Sequence, residues 1–203
     1  MARTNTAVER RAEIIAAAIR VLAHDGIAET TTRKIAAEAN VNQAMLRYYF
    51  GSKDDLLFAV LQEMMRMTGE IVQAGTTFDH GLHHAIAESL KAFWTHVEAA
   101  PELQVMQYEL TLYALRHQES AWLAKQQYDG YRSVVETLLQ QGFEATGNTC
   151  SLPFADLARF IIGGLDGLIL QFISDHDTVR ARRDLDHLIA AVIGLAEGKP
   201  AST

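Results

Sequence analysis

The segment VNQAMLRYYFGSKDDLL, residues 41–57, places an arginine beside three aromatic residues and then starts a new helix. Successive residues of a helix are separated by about 100°, so a single core cannot take all of these side chains. Leu46 and Phe50, four residues apart, share one face and are predicted to be buried. Other residues of the same helix must then face outward, where they can contact another molecule.

The outward face of this helix combines side chains that can bind DNA. Its predicted members, of which the last lies on the flank, are Gln43, Ala44, Arg47, Tyr48 and Tyr49. Arginine can donate two parallel hydrogen bonds to guanine, glutamine can bond adenine, and alanine can contact a thymine methyl group. Tyrosine hydroxyls can bind phosphates, which set the register without reading bases. This composition predicts contact with the DNA major groove, and a solvated face with an incidental arginine is the alternative.

Two helices are predicted to precede this face. Apolar residues at helical spacing predict a first helix over residues 9–24. Gly26 ends it, because glycine is the usual residue just beyond a helix end. Thr31 or Thr32 can cap a short second helix that runs to about Ala39.

The turn after the second helix and the starts of the next two helices contain residue types that favour those positions. Asn40 tolerates the left-handed backbone of a tight turn, and Asn42 can cap the helix that bears the outward face. Ser52 and Asp55 have the spacing of a capping box, so a longer helix is predicted from Lys53, with N–H groups at its start for a phosphate. Two short helices joined by a tight turn are typical of a helix-turn-helix motif.

The charge is distributed unevenly along the chain. The net charge is -7, yet residues 1–53 hold eight lysines and arginines against five acids. The remaining 150 residues hold ten basic and twenty acidic residues. A basic first quarter on an acidic body indicates that one end meets an anion, although an excess this small can also arise by chance.

The rest of the chain also predicts helices, and strand signals are absent. The fold class is therefore all-α, with an N-terminal three-helix helix-turn-helix domain over residues 1–53 and a larger C-terminal helical domain over residues 54–203. Within the second domain, a loop is expected at residues 142–149, and helices are expected from Lys53 and over about 81–96, from 101, 121–143, 151–173 and 179–196.

Composition indicates a cytoplasmic protein. Cys150 is the single cysteine, so neither an intrachain disulfide nor a cysteine-rich metal site is expected. The N-terminal residues are polar and do not resemble a signal peptide. No apolar stretch is expected to reach the roughly 20 residues that span a membrane, so no membrane partner is predicted.

The segment TTRKIAAEANVNQAMLRYYFGSKDDLL closely resembles the signature of TetR-type transcriptional regulators. In that signature, a Thr-x-x-x-Ile-Ala-x-x-Ala-Gly-Val segment leads to Leu-Tyr-x-Tyr-Phe and then to Ser/Asn-Lys-x-x-Leu. Asn40 replaces the usual glycine, and Arg47 replaces a common aromatic residue. The later segment ELTLYALRHQESAWLAKQQYDGYRSVV is similar to the C-terminal domain of the choline-responsive BetI branch.

The resemblance implies a homodimer whose N-terminal domains bind a palindromic double-stranded operator. It also implies a C-terminal domain that binds a small-molecule effector and thereby releases the DNA. By position in the motif, Gln43, Ala44 and Arg47 would read bases. The residues that would contact phosphates are Thr31, Thr32, Arg33, Tyr48, Tyr49 and Lys53.

The segment FADLARFIIGGLDGLILQFI is apolar on nearly all sides of a helix. Such a helix must be buried, and a second subunit can cover it. In TetR-like proteins the last two helices pair with their copies in a four-helix bundle, so the resemblance implies a homodimer through these helices. The alternative is the central core helix of a monomer.

The middle helices carry aromatic and polar residues that can line a ligand site, since such sites are mostly apolar with a few polar groups. Aromatic rings with a carboxylate nearby could hold a cation. Residues of this kind are also ordinary core residues, and both readings remain open. The candidate effector-binding residues are Phe93, Trp94, Tyr108, Glu109, Tyr113, Trp122 and Gln126.

Three histidines raise metal binding as an alternative function. His80 and His84 are four residues apart, beside His83, and could share a helix face as zinc ligands do. No cysteine is near them, and neither a phosphate-binding loop nor a nucleophile motif occurs, so no cofactor, no metal and no enzymatic activity are predicted. The alternatives are a metal-dependent or enzymatic helical protein and a helical ligand-binding module without DNA function.

Overall fold

The computed structural model describes residues 2–77 and 79–198, with side chains from residue 7 onward. Within these ranges the chain forms nine α-helices, one short 3₁₀ helix and no strand, which confirms the all-α prediction. The α-helices are α1 Ala2–Glu29, α2 Thr32–Glu38, α3 Gln43–Phe50, α4 Lys53–Ala74, α5 Leu82–Ala99, α6 Pro101–Arg116, α7 Ala121–Thr146, α8 Phe154–Asp175 and α9 Thr178–Glu197.

Several helix boundaries differ from the sequence prediction: α1 begins at Ala2 rather than at residue 9, and α8 begins at Phe154 rather than at residue 151. The α1 range continues to Glu29, but Gly26 inside it is not helical, with φ 74° and ψ 167°. The predicted break is therefore present at Gly26, and one more turn follows it. Helix α7 continues through Gly142 to Thr146 and ends before Gly147 at φ 66°, so the loop expected from residue 142 starts later.

The first of two compact units contains the described part of Met1–Met64 together with Glu102–Gln127. Its core joins Leu22, Ile35 and Leu46 from the first three helices to Met106 and Leu123 from α6 and α7. Helix α6 is thus packed with the helix-turn-helix elements. This division does not coincide with the boundary expected after residue 53.

The second compact unit contains Met65–Pro101 and the described part of Tyr128–Thr203. Here α9 packs against both α5 and α8. Gly164 permits a close approach of α8 to α9, because a Cβ at this position would lie 2.5 Å from Cδ1 of Leu188. Helices α4 and α7 each contribute residues to both units.

Helix α8 contains the segment that the sequence describes as apolar on nearly all sides. By length and composition it could cross a membrane, with 33% of its most apolar 18-residue window buried, so the expectation that no stretch reaches this length is wrong. Core helices of soluble proteins meet the same criterion. The exposed apolar residues of α8 include Phe160 and Leu170.

Candidate nucleic-acid interface

Side-chain caps hold the two short helices in place. Thr31 Oγ1 accepts the N–H of Lys34 at 3.2 Å, so Thr31 rather than Thr32 caps α2. Asn42 Oδ1 accepts the N–H of Met45 at 2.8 Å and caps α3. Asn40 has φ 52°, as the tight turn requires. These contacts confirm the predicted helix-turn-helix geometry.

The outward face of α3 is oriented as the helical spacing predicts. Leu46 and Phe50 are buried, whereas Gln43, Ala44 and Arg47 are exposed. Arg47 lies one helical turn after Gln43 and Ala44, four and three residues further on, so it is a surface neighbour of both.

The two tyrosines of α3 differ in burial. Tyr48 is 84% exposed, and Tyr49 is partly buried against the core of the first unit. Their rings meet edge to face, with centroids 5.3 Å apart. Packing therefore restrains Tyr49, while the Tyr48 hydroxyl extends from the surface.

Several basic side chains of this region are engaged in the fold. Arg10 pairs with Glu13 at 2.6 Å, and Arg20 pairs with Glu38 at 2.7 Å. Lys34 pairs with Asp25 at 2.7 Å. Acidic side chains of the protein therefore partly neutralise these three positive charges.

Hydrogen bonds from Lys34 and His24 lower the pKa of the Asp25 carboxyl, and the bond from Lys34 has the larger effect. The carboxylate therefore remains ionised beside Lys34 at neutral pH. Arg11 lies over the Phe50 ring, 5.1 Å from its centroid, a contact that the sequence analysis missed.

Arg33 and Arg47 differ from these basic residues. Both are exposed, and neither guanidinium has an ion-pair partner among the side chains that the structure describes. Arg33 lies in the first turn of α2, and Arg47 lies in the last turn of α3. An arginine without a protein partner keeps all five donors for an anion or a base edge.

Lys53 is partly buried at the start of α4. Its Nζ lies 3.4 Å from the carbonyl oxygen of Thr30 and 5.4 Å from the centroid of the Tyr113 ring. These contacts restrain the ammonium group. The phosphate contact expected of Lys53 stays a prediction.

The N-terminus of α4 is already capped. Ser52 Oγ accepts the N–H of Asp55 at 3.1 Å, and Asp55 Oδ2 accepts the N–H of Ser52 at 3.2 Å. Asp54 adds a second carboxylate to the first turn. This confirms the capping box, but the box and its acids oppose the phosphate site that was expected at the same helix start.

The residues expected to bind an effector fall into both compact units. Phe93 and Trp94 belong to the second unit, and Trp94 Nε1 donates to Glu98 at 2.9 Å. The other five belong to the first unit: Tyr108, Glu109, Tyr113, Trp122 and Gln126. Their grouping into one pocket stays a prediction.

Within the first unit, these five residues make different contacts. Glu109 accepts the N–H of Ile27 at 2.9 Å. The exposed Trp122 packs edge to face on Phe58 with centroids 5.2 Å apart, and Gln126 is exposed. Because Ile27 lies 82 residues before Glu109, no local sequence pattern predicts the hydrogen bond between them.

A buried polar group between α6 and α7 was missed by the sequence analysis. Thr111 Oγ1 lies 2.8 Å from Gln127 Oε1, and both residues are buried. Gln104 is only 3% exposed, and its Nε2 has no hydrogen-bond partner among the described atoms. A buried amide donor without a partner is uncommon, because leaving it unbonded costs about 1–3 kcal/mol.

The histidines are engaged in pairs. The rings of His80 and His84 meet edge to face, with centroids 5.1 Å apart. His83 Nε2 lies 2.6 Å from Glu197 Oε1. Across the described residues, no group of three or more His, Cys, Asp or Glu side chains is arranged to hold a metal ion.

Two family descriptions match the chain. Residues 14–60 match the bacterial regulatory proteins of the tetR family. Residues 82–195 match the tetracyclin repressor-like C-terminal domain. The second match alone covers more than half of the chain.

Curated relatives are transcriptional regulators. The chain is 28% identical to the HTH-type nicotine-responsive transcriptional repressor HdnoR of Paenarthrobacter nicotinovorans, over 92% of this chain and 95% of HdnoR. It is 33% identical to the HTH-type transcriptional regulator BetI of Brucella suis biovar 1 over 93 residues, which are 46% of this chain and 47% of BetI.

Among solved structures, the fold is similar to that of the transcriptional regulator FadR from Bacillus subtilis in complex with stearoyl-CoA. The TM-score is 0.69 at 19% identity, and the match covers 90% of this chain and 97% of FadR. At this identity the likeness shows a shared fold.

Proposed function

Since the chain belongs to the TetR family of bacterial regulatory proteins and is a DNA-binding transcriptional regulator rather than an enzyme, we propose that it binds a palindromic operator as a homodimer. We further propose that it acts as a repressor in the cytoplasm and leaves the operator when a small-molecule effector binds. The observation that carries this proposal is the outward face of α3, with Gln43, Ala44 and Arg47 exposed together.

In this proposal α3 enters the major groove and reads bases. Arg47 donates to guanine, Gln43 bonds adenine, and Ala44 contacts a thymine methyl group. Arg47 suits this role because its guanidinium has no ion-pair partner among the described residues. Residues at the edges of α2, α3 and α4 bind phosphates and set the register. This phosphate set is Thr31, Thr32, Arg33, Tyr48, Tyr49 and Lys53.

Dimer formation is supported by the exposed face of α8. Phe160 and Leu170 are 42% and 50% exposed, although both are large and apolar. Gly163 and Gly167 lie between them on the same helix face, and a Cβ at either position would meet nothing within 4 Å. The α8 and α9 helices of a second copy could cover this face, because small residues allow helices to approach closely.

Effector binding is supported by the polar residues buried on α6 and α7. On α6, Gln104 has a buried amide nitrogen without a hydrogen-bond partner among the described atoms. Thr111 on α6 and Gln127 on α7 are also buried. A few polar groups in apolar surroundings are the usual make-up of a small-molecule site. HdnoR is a nicotine-responsive repressor, so nicotine is a suitable first probe for this chain.

The mechanism we propose is a shift between two populations. The effector binds more tightly to a conformation whose two α3 helices no longer fit successive major grooves, so the DNA-binding population falls. The size of the response is limited by the ratio of the effector's affinities for the two conformations.

Fluorescence anisotropy tests the proposal. The purified protein is titrated against the DNA upstream of its own gene, with an unrelated duplex of equal length as the control, across a salt series. We expect tight binding to the upstream DNA, and a steep loss of affinity with salt. If upstream DNA gives no preference, selection from random duplexes follows, and failure to enrich any sequence would contradict operator recognition.

A further inference from the structure

Helix α6 reaches the end of α1 through one carboxylate. Glu109 Oε2 accepts the backbone N–H of Ile27 at 2.9 Å. Gly26, the preceding residue, has φ 74° and ψ 167°, so the helix is interrupted here. An interrupted helix leaves an N–H group without its usual carbonyl partner. Glu109 satisfies that group from a helix 82 residues further along the chain.

Two structural constraints favour glycine at position 26. Its backbone conformation is one that other residues rarely adopt. In addition, a Cβ at residue 26 would lie 3.0 Å from Oε2 and 3.2 Å from Oε1 of Glu109. The missing side chain therefore makes the room in which the carboxylate reaches the backbone.

The same corner leads directly into α2. Thr30, which is buried, donates from Oγ1 to the carbonyl oxygen of Gly26 at 2.6 Å. Thr31 then caps α2. We call residues 26–30 the α1–α2 corner. A displacement of this corner moves the start of the helix pair that carries the DNA-reading face.

Glu109 has no competing cation. Among the residues that the structure describes, no lysine or arginine forms an ion pair with Glu109, and the carboxylate accepts the N–H of Ile27. The side chain is partly buried. A carboxylate that is partly withdrawn from water and bonded to one N–H group gives a strong and directional contact.

Further contacts join the segment after Glu109 to the start of α4. Tyr113 lies beneath Lys53, whose Nζ is 3.4 Å from Thr30 O at the end of the corner. Ser120 Oγ donates to Asp54 Oδ2 at 2.6 Å. These contacts join α6, and the 3₁₀ helix that follows it, to the start of α4 and to the α1–α2 corner.

From these contacts, we propose that Glu109 is a positioning residue for operator binding: its bond to Ile27 N–H sets the α1–α2 corner, and α6 controls the reading helices through it. The inference rests on the proposed operator binding. Glu109 then acts on the DNA-binding end of α6, and the effector is recognised by other residues. An effector that displaces α6 would break this bond and reduce DNA affinity, because it would favour the state without it.

The test compares Glu109→Ala and Glu109→Gln with wild type. Glutamine keeps an oxygen that can accept the Ile27 N–H, whereas alanine keeps none. Glu102→Ala removes an exposed carboxylate from the same helix and serves as the matched control. The DNA is the duplex that wild-type protein selects from random sequences. All titrations are made far below the unfolding midpoint of each variant, so that every sample is folded.

We expect Glu109→Ala to bind the selected duplex about 10-fold more weakly. Glu109→Gln should recover most of that loss, and Glu102→Ala should bind within about 2-fold of wild type. Affinity for an unrelated duplex should change little, because the phosphate-contacting charges are intact. Hydrogen exchange of peptides covering residues 26–30 should accelerate in Glu109→Ala and not in Glu102→Ala.

Two outcomes would overturn the inference. If Glu109→Ala binds the selected duplex as tightly as wild type, Glu109 does not position the reading helices. If exchange at the corner is unchanged, the carboxylate does not hold it. Failure of the proposed function is distinguishable, because wild-type protein would then enrich no duplex, whereas corner exchange would still report on the bond.

Discussion

The Lys53 ammonium group lies 5.4 Å from the centroid of the Tyr113 ring and 3.4 Å from the Thr30 carbonyl oxygen. The residue is therefore positioned by α6 as well as by its own helix. A cation held over an aromatic face keeps its charge and loses freedom. This arrangement suits a lysine that meets a phosphate at a fixed place.

Lys53→Ala should weaken binding to all DNA sequences by a similar factor. In its proposed role the residue supplies one positive charge and no base contact, so the dependence of log affinity on log salt should become shallower by about 1. Anisotropy titrations against the operator and an unrelated duplex measure both effects. A loss confined to the operator would contradict the phosphate role.

Tyr113→Leu separates the two contacts of Lys53. It removes the ring and leaves the ammonium in place, so it should weaken DNA binding less than Lys53→Ala does. If it instead weakens binding more, Tyr113 acts on DNA binding by another route.

Gly26→Ala should destabilise the folded protein by about 1–3 kcal/mol from backbone strain alone. The Glu109 carboxylate, 3.0 Å from the new Cβ, should add to this loss. Gly81→Ala is the matched control, because Gly81 has a similar φ of 85° and ψ of 172° but nothing within 4 Å of its Cβ. Urea unfolding measures both, and equal losses would mean that the Glu109 contact contributes nothing.

Gly167→Arg should give a monomer if α8 forms the proposed dimer interface. The position is exposed on α8 with open space around it, so the arginine side chain fits the single chain. In the proposed dimer it would collide with the second copy. Light scattering coupled to size exclusion measures the mass, and operator affinity should fall because two half-sites are no longer bridged. The control is Ser133→Arg at an exposed position of α7. A Gly167→Arg protein that remains dimeric would place the interface elsewhere.

Glu98 should make stability depend on acid pH. The Arg182 guanidinium, and after it the Trp94 indole N–H, lower the pKa of the Glu98 carboxyl below its ordinary value of 4.5 against the opposing effect of burial. Because the folded state favours the charged carboxylate, this stabilisation is present above that value and is lost as the pH falls below it.

Glu98→Gln therefore should reduce stability at pH 7 and lose less than wild type between about pH 5 and pH 3. Thermal unfolding across that range measures the difference. Parallel curves for the two proteins would show that the Arg182 pair does not contribute to the pH dependence.

Local patterns in the sequence were sufficient for the helix-turn-helix. Leu46 and Phe50 could be assigned to the core because a four-residue spacing places them on one helix face. Asn40 and Asn42 could be assigned to a turn and a helix cap because asparagine favours both positions. The resemblance to TetR regulators is confirmed by the two family matches.

Contacts between distant segments could not be predicted in this way. The bond from the Ile27 N–H to the Glu109 carboxylate spans 82 residues, and the sequence analysis did not predict it. The effector contact expected of Glu109 stays a prediction. The packing of α6 with the first three helices likewise depends on tertiary contacts, which no spacing rule encodes. Gly142 was expected in a loop, but it is buried within α7, where packing overrides the weak helix propensity of glycine.

The most direct test of the central claim is the base preference of Arg47→Ala. Wild-type protein and the variant each select from random duplexes, and each is then titrated against the wild-type operator. Arg20→Ala is the control, since it removes an arginine of the same domain that pairs with Glu38. We expect Arg47→Ala to lose about 1–3 kcal/mol of specific binding and to relax the choice at one base pair in each half-site. Unchanged affinity and unchanged base preference would contradict the assignment of α3 as the reading helix through Arg47.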